Sequence, residues 1–294
     1  MISSKQMYST YFQEYRLSDS AIHDLHETLF SMLLDIDSVC RKNGIEFMLS
    51  GGTALGAVRG QGFIPWDDDI DIMMTRAEFE KFAGVFEREM GERYELVQPL
   101  TDGYYLKQPK IFRKNTIYTE LPFAGCKKFN MVFIDVFIIE YLPKSGLKRT
   151  INGKLYDFAY KASSLCIDYK YPSPPIMEKC KTEKEVKDYY SFRRRLGHLF
   201  SIFGGIRFFL KLADRIARKN KSGSFMGIPS GISYKREILP ADTYLNTTDV
   251  VFEGHTFKVP KDYKAYLVNL YGETFMTPPP ENKREVHVAY EMKL

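Results

Sequence analysis

The sequence predicts an α/β protein whose mixed β-sheet core is flanked by helices and carries an inserted, mainly helical region. Short apolar runs typical of buried strands, at 45–49, 69–74 and 130–140, alternate with helically spaced apolar residues. From 144 to 220 the helical spacing continues, with one break at 171–175. The composition, with 44% apolar and 27% charged residues among 294, is that of a folded globular protein.

The first elements follow from the spacing of apolar residues and from the residues that begin or end helices. Apolar positions over 20–43 predict a long helix, which Gly44 would end. A strand over 45–49 then leads through two glycines into a short helix and a loop. Thr75 and Glu78 form a capping box, which begins a helix running to about Met90.

The later elements are less regular. Strands are predicted over 94–97 and 104–118, the second at a sheet edge or with a bulge because Pro109 has no N–H to donate. Beyond the helical region, a hairpin over 250–259 turns at Glu253 and Gly254, and a short helix over 262–271 ends at Gly272. Three prolines at 278–280 begin a polar tail.

Two acids at alternate positions mark the strand at 69–74. Successive strand side chains point to opposite faces, so Asp69 and Asp71 share one face. Adjacent carboxylates repel each other unless a cation lies between them, and Mg²⁺ prefers oxygen ligands. Asp135 lies alone among apolar residues of a later strand, where an unpaired carboxylate is costly to bury. If the two strands are neighbours, three carboxylates converge on one metal cluster.

A glycine pair precedes these acids. Gly51 and Gly52 let backbone N–H groups approach a phosphate, and the N-terminus of the following helix favours anions. A glycine turn, an Asp-x-Asp strand and a later strand aspartate form the layout of the nucleotidyltransferase superfamily. An Asp-x-Asp pair alone is more often a pair of solvated acids or a turn cap, so the prediction depends on the combination. The chain has no Walker A or dinucleotide-binding motif.

Two stretches of the chain resemble the LicD family. The first has GGTALGAVR at 51–59 and FIPWDDDID at 63–71, and the second has FEG at 252–254, VPKDY at 259–263 and LYG at 270–272. The resemblance covers about 20–140 and 245–287. We therefore divide the chain into a nucleotidyltransferase-like catalytic core at 1–144, a basic helical insertion at 145–225, and a C-terminal hairpin, helix and tail at 226–294 that completes the catalytic domain.

The resemblance implies a metal site and a donor site. One or two Mg²⁺ ions, with Mn²⁺ as the alternative, would be held by Asp69, Asp71 and Asp135, the last acting as a ligand, as a base or as both. Further residues are candidates for donor or phosphate binding: Gly51, Gly52, Thr53, Arg59, Trp66, Lys110 and Arg113. The alternatives are ordinary surface positions for the basic residues and an apolar loop anchor for Trp66. A basic tail with Lys283, Arg284 and His287 would fold back over the site.

One segment carries all the positive excess of the chain. Residues 179–221 hold 13 lysines or arginines and four acids, while the formal net charge of the chain is +5. Apolar residues between arginines within 193–221 favour peripheral contact with an anionic membrane; packed helices with a charged outer face are the alternative. This segment has no nucleic-acid reader motif, so we expect no nucleic-acid partner.

The sequence also bears on the location of the protein. The four cysteines lack C-x-x-C spacing, the first sixteen residues lack the apolar region of a secretory signal, and no apolar stretch approaches a bilayer-spanning length. We therefore expect a reduced, cytoplasmic protein that is peripheral on the inner face of the cell membrane.

The resemblance implies Mg²⁺-dependent transfer of phosphocholine or a related phospho-alcohol. The donor would be CDP-choline or another CDP-alcohol, and the acceptor a sugar hydroxyl of a lipid-linked cell-surface glycan, such as lipopolysaccharide or a teichoic acid precursor. Two alternatives stay open. A nucleotidyltransferase would pass NMP to the acceptor, and a membrane-associated glycan-binding protein would have no activity. The sequence specifies neither the donor alcohol nor the acceptor sugar nor the oligomeric state.

Overall fold

A computed structural model describes residues 2–281, 284 and 288–294. The helices are α1 (Ser4–Tyr11), α2 (Asp19–Asn43), α3 (Gly51–Gly60), α4 (Arg76–Met90), α5 (Gly146–Lys170), α6 (Pro174–Thr182), α7 (Lys184–Ile202), α8 (Gly205–Ala217), α9 (Ala241–Leu245) and α10 (Tyr263–Tyr271). The strands are β1 (Met48–Leu49), β2 (Asp71–Thr75), β3 (Tyr94–Val97), β4 (Lys110–Arg113), β5 (Ile117–Glu120), β6 (Phe133–Tyr141), β7 (Phe225–Gly227), β8 (Leu239–Pro240), β9 (Thr247–Phe252), β10 (His255–Pro260) and β11 (Ala289–Lys293).

The main sheet contains parallel and antiparallel pairs, which confirms the predicted fold class. Its strand order is β1-β2-β6-β4-β3, and β7 pairs with the far end of β6 and with β8. β2 and β6 are parallel, whereas β1, β4 and β3 each pair antiparallel with their neighbours. The main apolar core joins this sheet to α2, α4 and the β9–β10 hairpin.

Several predicted helix ends are confirmed by their capping contacts. Gly44 ends α2 with a left-handed backbone, φ 61°, which glycine adopts without strain. The Thr75 hydroxyl accepts a hydrogen bond from the Glu78 N–H at 3.3 Å and so begins α4. Asp262 caps α10 in the same way through the Ala265 N–H. These local signals therefore determine where the elements around the sheet begin and end.

The prediction of one strand over 104–118, at a sheet edge or with a bulge, is wrong. Two strands, β4 and β5, cover this region, and β4 lies inside the sheet between β6 and β3. Pro109 is compatible with an interior position because it precedes the first strand residue, where its missing N–H removes no ladder bond; its carbonyl accepts from the Val136 N–H at 3.0 Å. β5 pairs instead with β11, which lies in the predicted polar tail.

The predicted helical region at 144–220 forms α5 to α8, with the break between α5 and α6 where it was expected. α5, α7 and α8 pack around their own apolar cluster, which includes Tyr156, Cys166 and Phe209 and is joined by Leu142 and Tyr234 from outside the region. α6 packs in a separate cluster with α1 and the start of α7. Within the described residues no single helix is long and apolar enough to cross a membrane, although α7 and α8, bent by 79°, satisfy that criterion as a pair. The division of the chain into three segments stays a prediction.

Candidate active site

A cleft of about 730 Å³ opens beside the start of β2. Its walls come from distant parts of the chain: the N-terminus of α3, the loop before β2, the segment around 231–237, the end of α10 and the residues up to Pro280. Asp69 and Asp71 lie on its floor, next to Gly51 and Gly52. The predicted glycine turn and the predicted acidic pair therefore share one cavity.

The three predicted aspartates come together, with Asp135 behind the two that line the cleft. Asp69, Asp71 and Asp135 each offer a carboxylate oxygen, and these oxygens all lie within 4.8 Å of one another. The register of the parallel strands places Asp71 directly beside Asp135. Burial and neighbouring carboxylates raise the pKa of Asp69 and of Asp71 well above the ordinary range. Such a group of oxygens fits a hard divalent cation, whose charge would offset the repulsion.

A second acidic group shares one member with the first. Asp67, Asp68 and Asp69 also offer carboxylate oxygens within 4.8 Å of one another. The Tyr118 hydroxyl donates to Asp68, and the Asp67 backbone carbonyl lies 2.7 Å from His26 Nε2. The loop before β2 is thus held in place by contacts with α2 and β5, so Asp69 reaches the floor from a fixed position.

The glycine pair makes room for the acids. Gly51 has a left-handed backbone, φ 49°, and a Cβ at this position would lie 2.5 Å from Asp71 Oδ2. A Cβ on Gly52 would lie 2.5 Å from Asp67 Oδ2. Thr53 is buried and its hydroxyl accepts from the Asp71 N–H at 2.9 Å, so it faces the strand rather than the cleft. The turn therefore lets α3 begin directly against the carboxylates.

Two residues outside the predicted site set lie behind this turn. The Tyr266 hydroxyl accepts from the Gly51 N–H and contacts Ser50 Oγ, both at 3.1 Å, and it donates to Glu237 Oε2 at 3.4 Å. Glu237 is only 3% exposed and lines the cleft. No spacing or motif distinguishes this glutamate in the sequence, whereas Tyr266 and Leu267 belong to the second stretch that resembles the family.

The predicted basic residues take different positions. Arg59 lines the cleft and donates through Nε to the Phe275 carbonyl at 3.2 Å. Lys110 is buried, with Nζ 3.6 Å from Asp135 Oδ2 and 3.2 Å from Glu120 Oε2, so it stabilises the Asp135 carboxylate from behind. Arg113 donates to Ser31 of α2 and does not line the cleft.

The predicted aromatic and tail residues lie partly at the cleft. Trp66 lines it, and the Arg284 guanidinium lies 4.0 Å from the centre of the Trp66 ring. Lys283 and His287, the other tail candidates, lie outside the described residues. Through Arg284 and Trp66, the tail therefore approaches the site, as the sequence analysis predicted for the tail as a whole.

Comparisons with known proteins bear on this site. A family model described as LicD/FKTN/FKRP, nucleotidyltransferase domain, matches residues 44–164, a range that includes the glycine turn and the three aspartates. The chain is 27% identical over 259 residues to lipopolysaccharide cholinephosphotransferase LicD of Haemophilus influenzae, a match that covers 85% of this chain and 90% of that protein. It is also 33% identical over 100 residues to an uncharacterized protein of Rickettsia typhi, covering 34% of this chain and 28% of that one.

Proposed function

Because this chain belongs to the LicD family, we propose that it transfers phosphocholine, or a related phospho-alcohol, from a CDP-linked donor to a sugar hydroxyl of a cell-surface glycan. The observation that carries the proposal is the meeting of Asp69, Asp71 and Asp135 in one acidic cluster, of which Asp69 and Asp71 line the same cleft as Gly51 and Gly52. Phosphoryl transfer needs charge neutralisation and positioning more than covalent chemistry by the protein, and this cleft offers both.

Asp69, Asp71 and Asp135 would hold one or two divalent ions, Mg²⁺ or Mn²⁺. A bound cation would neutralise the diphosphate of the donor and make CMP a better leaving group. The adjoining wall suits an anion, because α3 begins there and the N-terminus of a helix favours negative charge. Arg59 adds a positive charge to the same wall.

The donor would also need apolar surface for its base or its alcohol. Trp66, Tyr271 and Phe275 supply aromatic rings to the lining of the cleft. A quaternary ammonium or a cytosine ring can bind against such aromatic surface. The relative from Haemophilus influenzae is named for a choline-phosphate transfer onto lipopolysaccharide, which supports choline as the alcohol and a lipid-linked glycan as the acceptor here.

A lipid-linked acceptor implies work at a membrane surface, and we propose peripheral contact through 193–221 on the inner face. An apolar tip joins the end of α7 to α8, and its exposed members are Leu199, Ile202, Phe203 and Phe208. Ile202 and Phe203 are 69% and 68% exposed. Cationic side chains are exposed around this tip: Arg195, Arg207 and Lys211. Apolar side chains ringed by cations are suited to an anionic lipid surface.

A labelling experiment tests the proposed reaction. CDP-choline carrying one label in cytidine and another in choline is incubated with Mg²⁺, the purified protein and a lipopolysaccharide or teichoic acid acceptor. We expect the choline label on the glycan and the cytidine label in free CMP. A nucleotidyltransferase would instead leave the cytidine label on the acceptor and release phosphocholine. A binding protein without activity would move neither label.

Asp71→Asn and Glu80→Gln supply matched variants for this experiment. Glu80 is exposed on α4, outside the cleft, so its variant should transfer as the wild type does. Loss of a metal ligand removes several kcal/mol of transition-state stabilisation, so Asp71→Asn should lower the rate by about 10³-fold or more. Calorimetry with CDP-choline, CDP-glycerol and CDP-ribitol then identifies the donor alcohol.

A further inference from the structure

A fourth carboxylate lines the cleft apart from the aspartate cluster. Glu237 lies in the segment between β7 and β8, on the wall formed with α10, and it belongs to neither group of acids at the floor that could hold a metal. Among the described residues, no lysine or arginine forms an ion pair with it. Its carboxylate therefore lies outside these acidic groups, and the Lys107 and Arg236 charges act on it without forming an ion pair.

The surroundings of Glu237 hold its side chain in one position. Oε2 accepts from the Tyr266 hydroxyl at 3.4 Å, and the backbone carbonyl accepts from the Tyr244 hydroxyl at 2.7 Å. A Cβ on Gly231 would lie 1.7 Å from Oε1, so only glycine leaves space for the carboxylate there. Lys107 donates to the Gly231 carbonyl at 2.6 Å and fixes that loop. The position is thus built around the carboxylate.

Titration of this group falls near neutral pH. Burial raises the pKa of Glu237 to about 7, and the Tyr266 hydrogen bond and the Lys107 charge counter that rise. The titratable and charged groups that face it are Lys107, Arg236, Tyr244, Tyr266, Tyr271 and Asp71. A general base works best when its pKa lies near the working pH, because it is then both deprotonated and basic.

The aspartates are less suited to accept a proton. Asp69 and Asp71 are committed to the cation in the proposed function. Asp135 accepts from Gln108 Nε2 at 3.0 Å through one oxygen, and its other oxygen faces the Lys110 ammonium. Glu237 forms no ion pair with a lysine or arginine of the described residues, and Tyr266 links it to the glycine turn.

We infer that Glu237 is the general base that deprotonates the acceptor hydroxyl, an assignment that rests on the proposed transfer reaction. The hydroxyl gives its proton to the Glu237 carboxylate, and its oxygen forms a bond to the phosphorus that carries choline. The bond from that phosphorus to the bridging oxygen of CMP breaks, and CMP leaves with the electron pair. The protonated Glu237 then releases its proton to solvent.

The test compares Glu237→Gln with the wild type and with Glu80→Gln. Donor affinity is measured separately, from the fluorescence of Trp66 during a titration with CDP-choline and Mg²⁺. We expect Glu237→Gln to bind the donor within about twofold of the wild type and to lower kcat by about 10²- to 10⁴-fold. The wild-type rate should rise with pH through a limb near 7, because the base must be deprotonated, and Glu237→Gln should lose this limb.

Two further measurements keep the inference open to refutation if Glu237→Gln folds poorly. Formate, a small carboxylate, should restore part of the activity of Glu237→Ala, and Glu237→Asp should keep the acidic limb at a lower rate. Absence of the limb in the wild type overturns the inference. So does a Glu237→Gln variant with an unchanged rate, or one whose only defect is loss of donor binding.

Failure of the proposed function would give a different result from failure of the Glu237 assignment. If the wild type passed NMP to the acceptor, the choline label would not reach the glycan, and the same variants would then be compared on that transfer. An acceptor hydroxyl must lose its proton in either reaction. The role of Glu237 is therefore tested by the rate at which its variants transfer the same group that the wild type transfers.

Discussion

Asp71 and Asp135 are register partners on the parallel strands β2 and β6, and their carboxylates belong to one acidic cluster. On the other side of Asp135, the antiparallel strand β4 contributes Lys110 as its register partner. The same three-strand row therefore carries two carboxylates and one buried ammonium. Sheet pairing alone brings together groups that are far apart in the chain.

The first prediction concerns metal binding by this row. Mg²⁺ should raise the thermal unfolding temperature of the wild type, because a ligand that binds only the folded state stabilises it. At a hundredfold excess of Mg²⁺ over Kd, the free energy of unfolding should rise by about 2.7 kcal/mol. Asp71→Asn should lose most of this shift without losing stability in EDTA, because the substitution also removes like-charge repulsion. Calorimetric melting with and without Mg²⁺ provides the measurement. An equal shift in both proteins would contradict the proposed metal site.

The second prediction uses two glycines of contrasting geometry. Gly51→Ala should destabilise the protein by about 1–3 kcal/mol, because φ is 49° and the new Cβ would meet Asp71 Oδ2. Gly84 is exposed in α4, and a Cβ there would have no neighbour within 4 Å, so Gly84→Ala should stabilise the helix by about 0.5–1 kcal/mol. Urea unfolding of both variants checks the difference. Similar effects at the two positions would refute this account of the turn.

The third prediction depends on the single tryptophan of the chain. Trp66 lines the cleft with Arg284 against its ring, so a donor that enters should change the intrinsic fluorescence in a saturable way. Trp66→Phe should abolish the signal, and Arg284→Ala should alter the starting emission. Binding that calorimetry detects but fluorescence does not would place the donor elsewhere.

The fourth prediction concerns the apolar tip. Replacing Ile202 and Phe203 by glutamate should reduce binding to vesicles that contain anionic lipid by about tenfold or more, since both side chains are exposed and two new negative charges would be repelled. Transfer to a water-soluble acceptor should not change. Leu245→Glu, 48% exposed outside this region, is the matched control in a sedimentation assay. Equal loss of vesicle binding in the control would exclude the tip as the contact.

Patterns over a few residues predict much of this fold. Gly44, the Thr75–Glu78 box and the acidic pair act within one turn or one strand, so their spacing is sufficient to predict them. Pairing between distant strands is different, because it depends on which faces the whole sheet buries. Pro109 could not be placed from the sequence, because its effect depends on its position just before β4. Arg113 could not be placed either, because its side chain contacts Ser31 of α2.

The same contrast between local patterns and distant contacts applies to the candidate site. The glycines, Asp69 and Asp71 could be found in the sequence because they form local patterns, and Asp135 because it is an acid within an apolar strand, but Glu237 could not. That glutamate acquires its character only from burial and from contacts with Gly231 and Tyr266, which lie on other segments. The roles of the predicted site residues stay predictions.

The hydrogen bond from Gly51 to Tyr266 spans most of the polypeptide and has a consequence for synthesis. During translation the glycine turn leaves the ribosome long before α10 does. The emerging chain cannot complete the contact behind the glycine turn until α10 has left the ribosome and folded back. Assembly of this wall is therefore a late event in the synthesis of the chain.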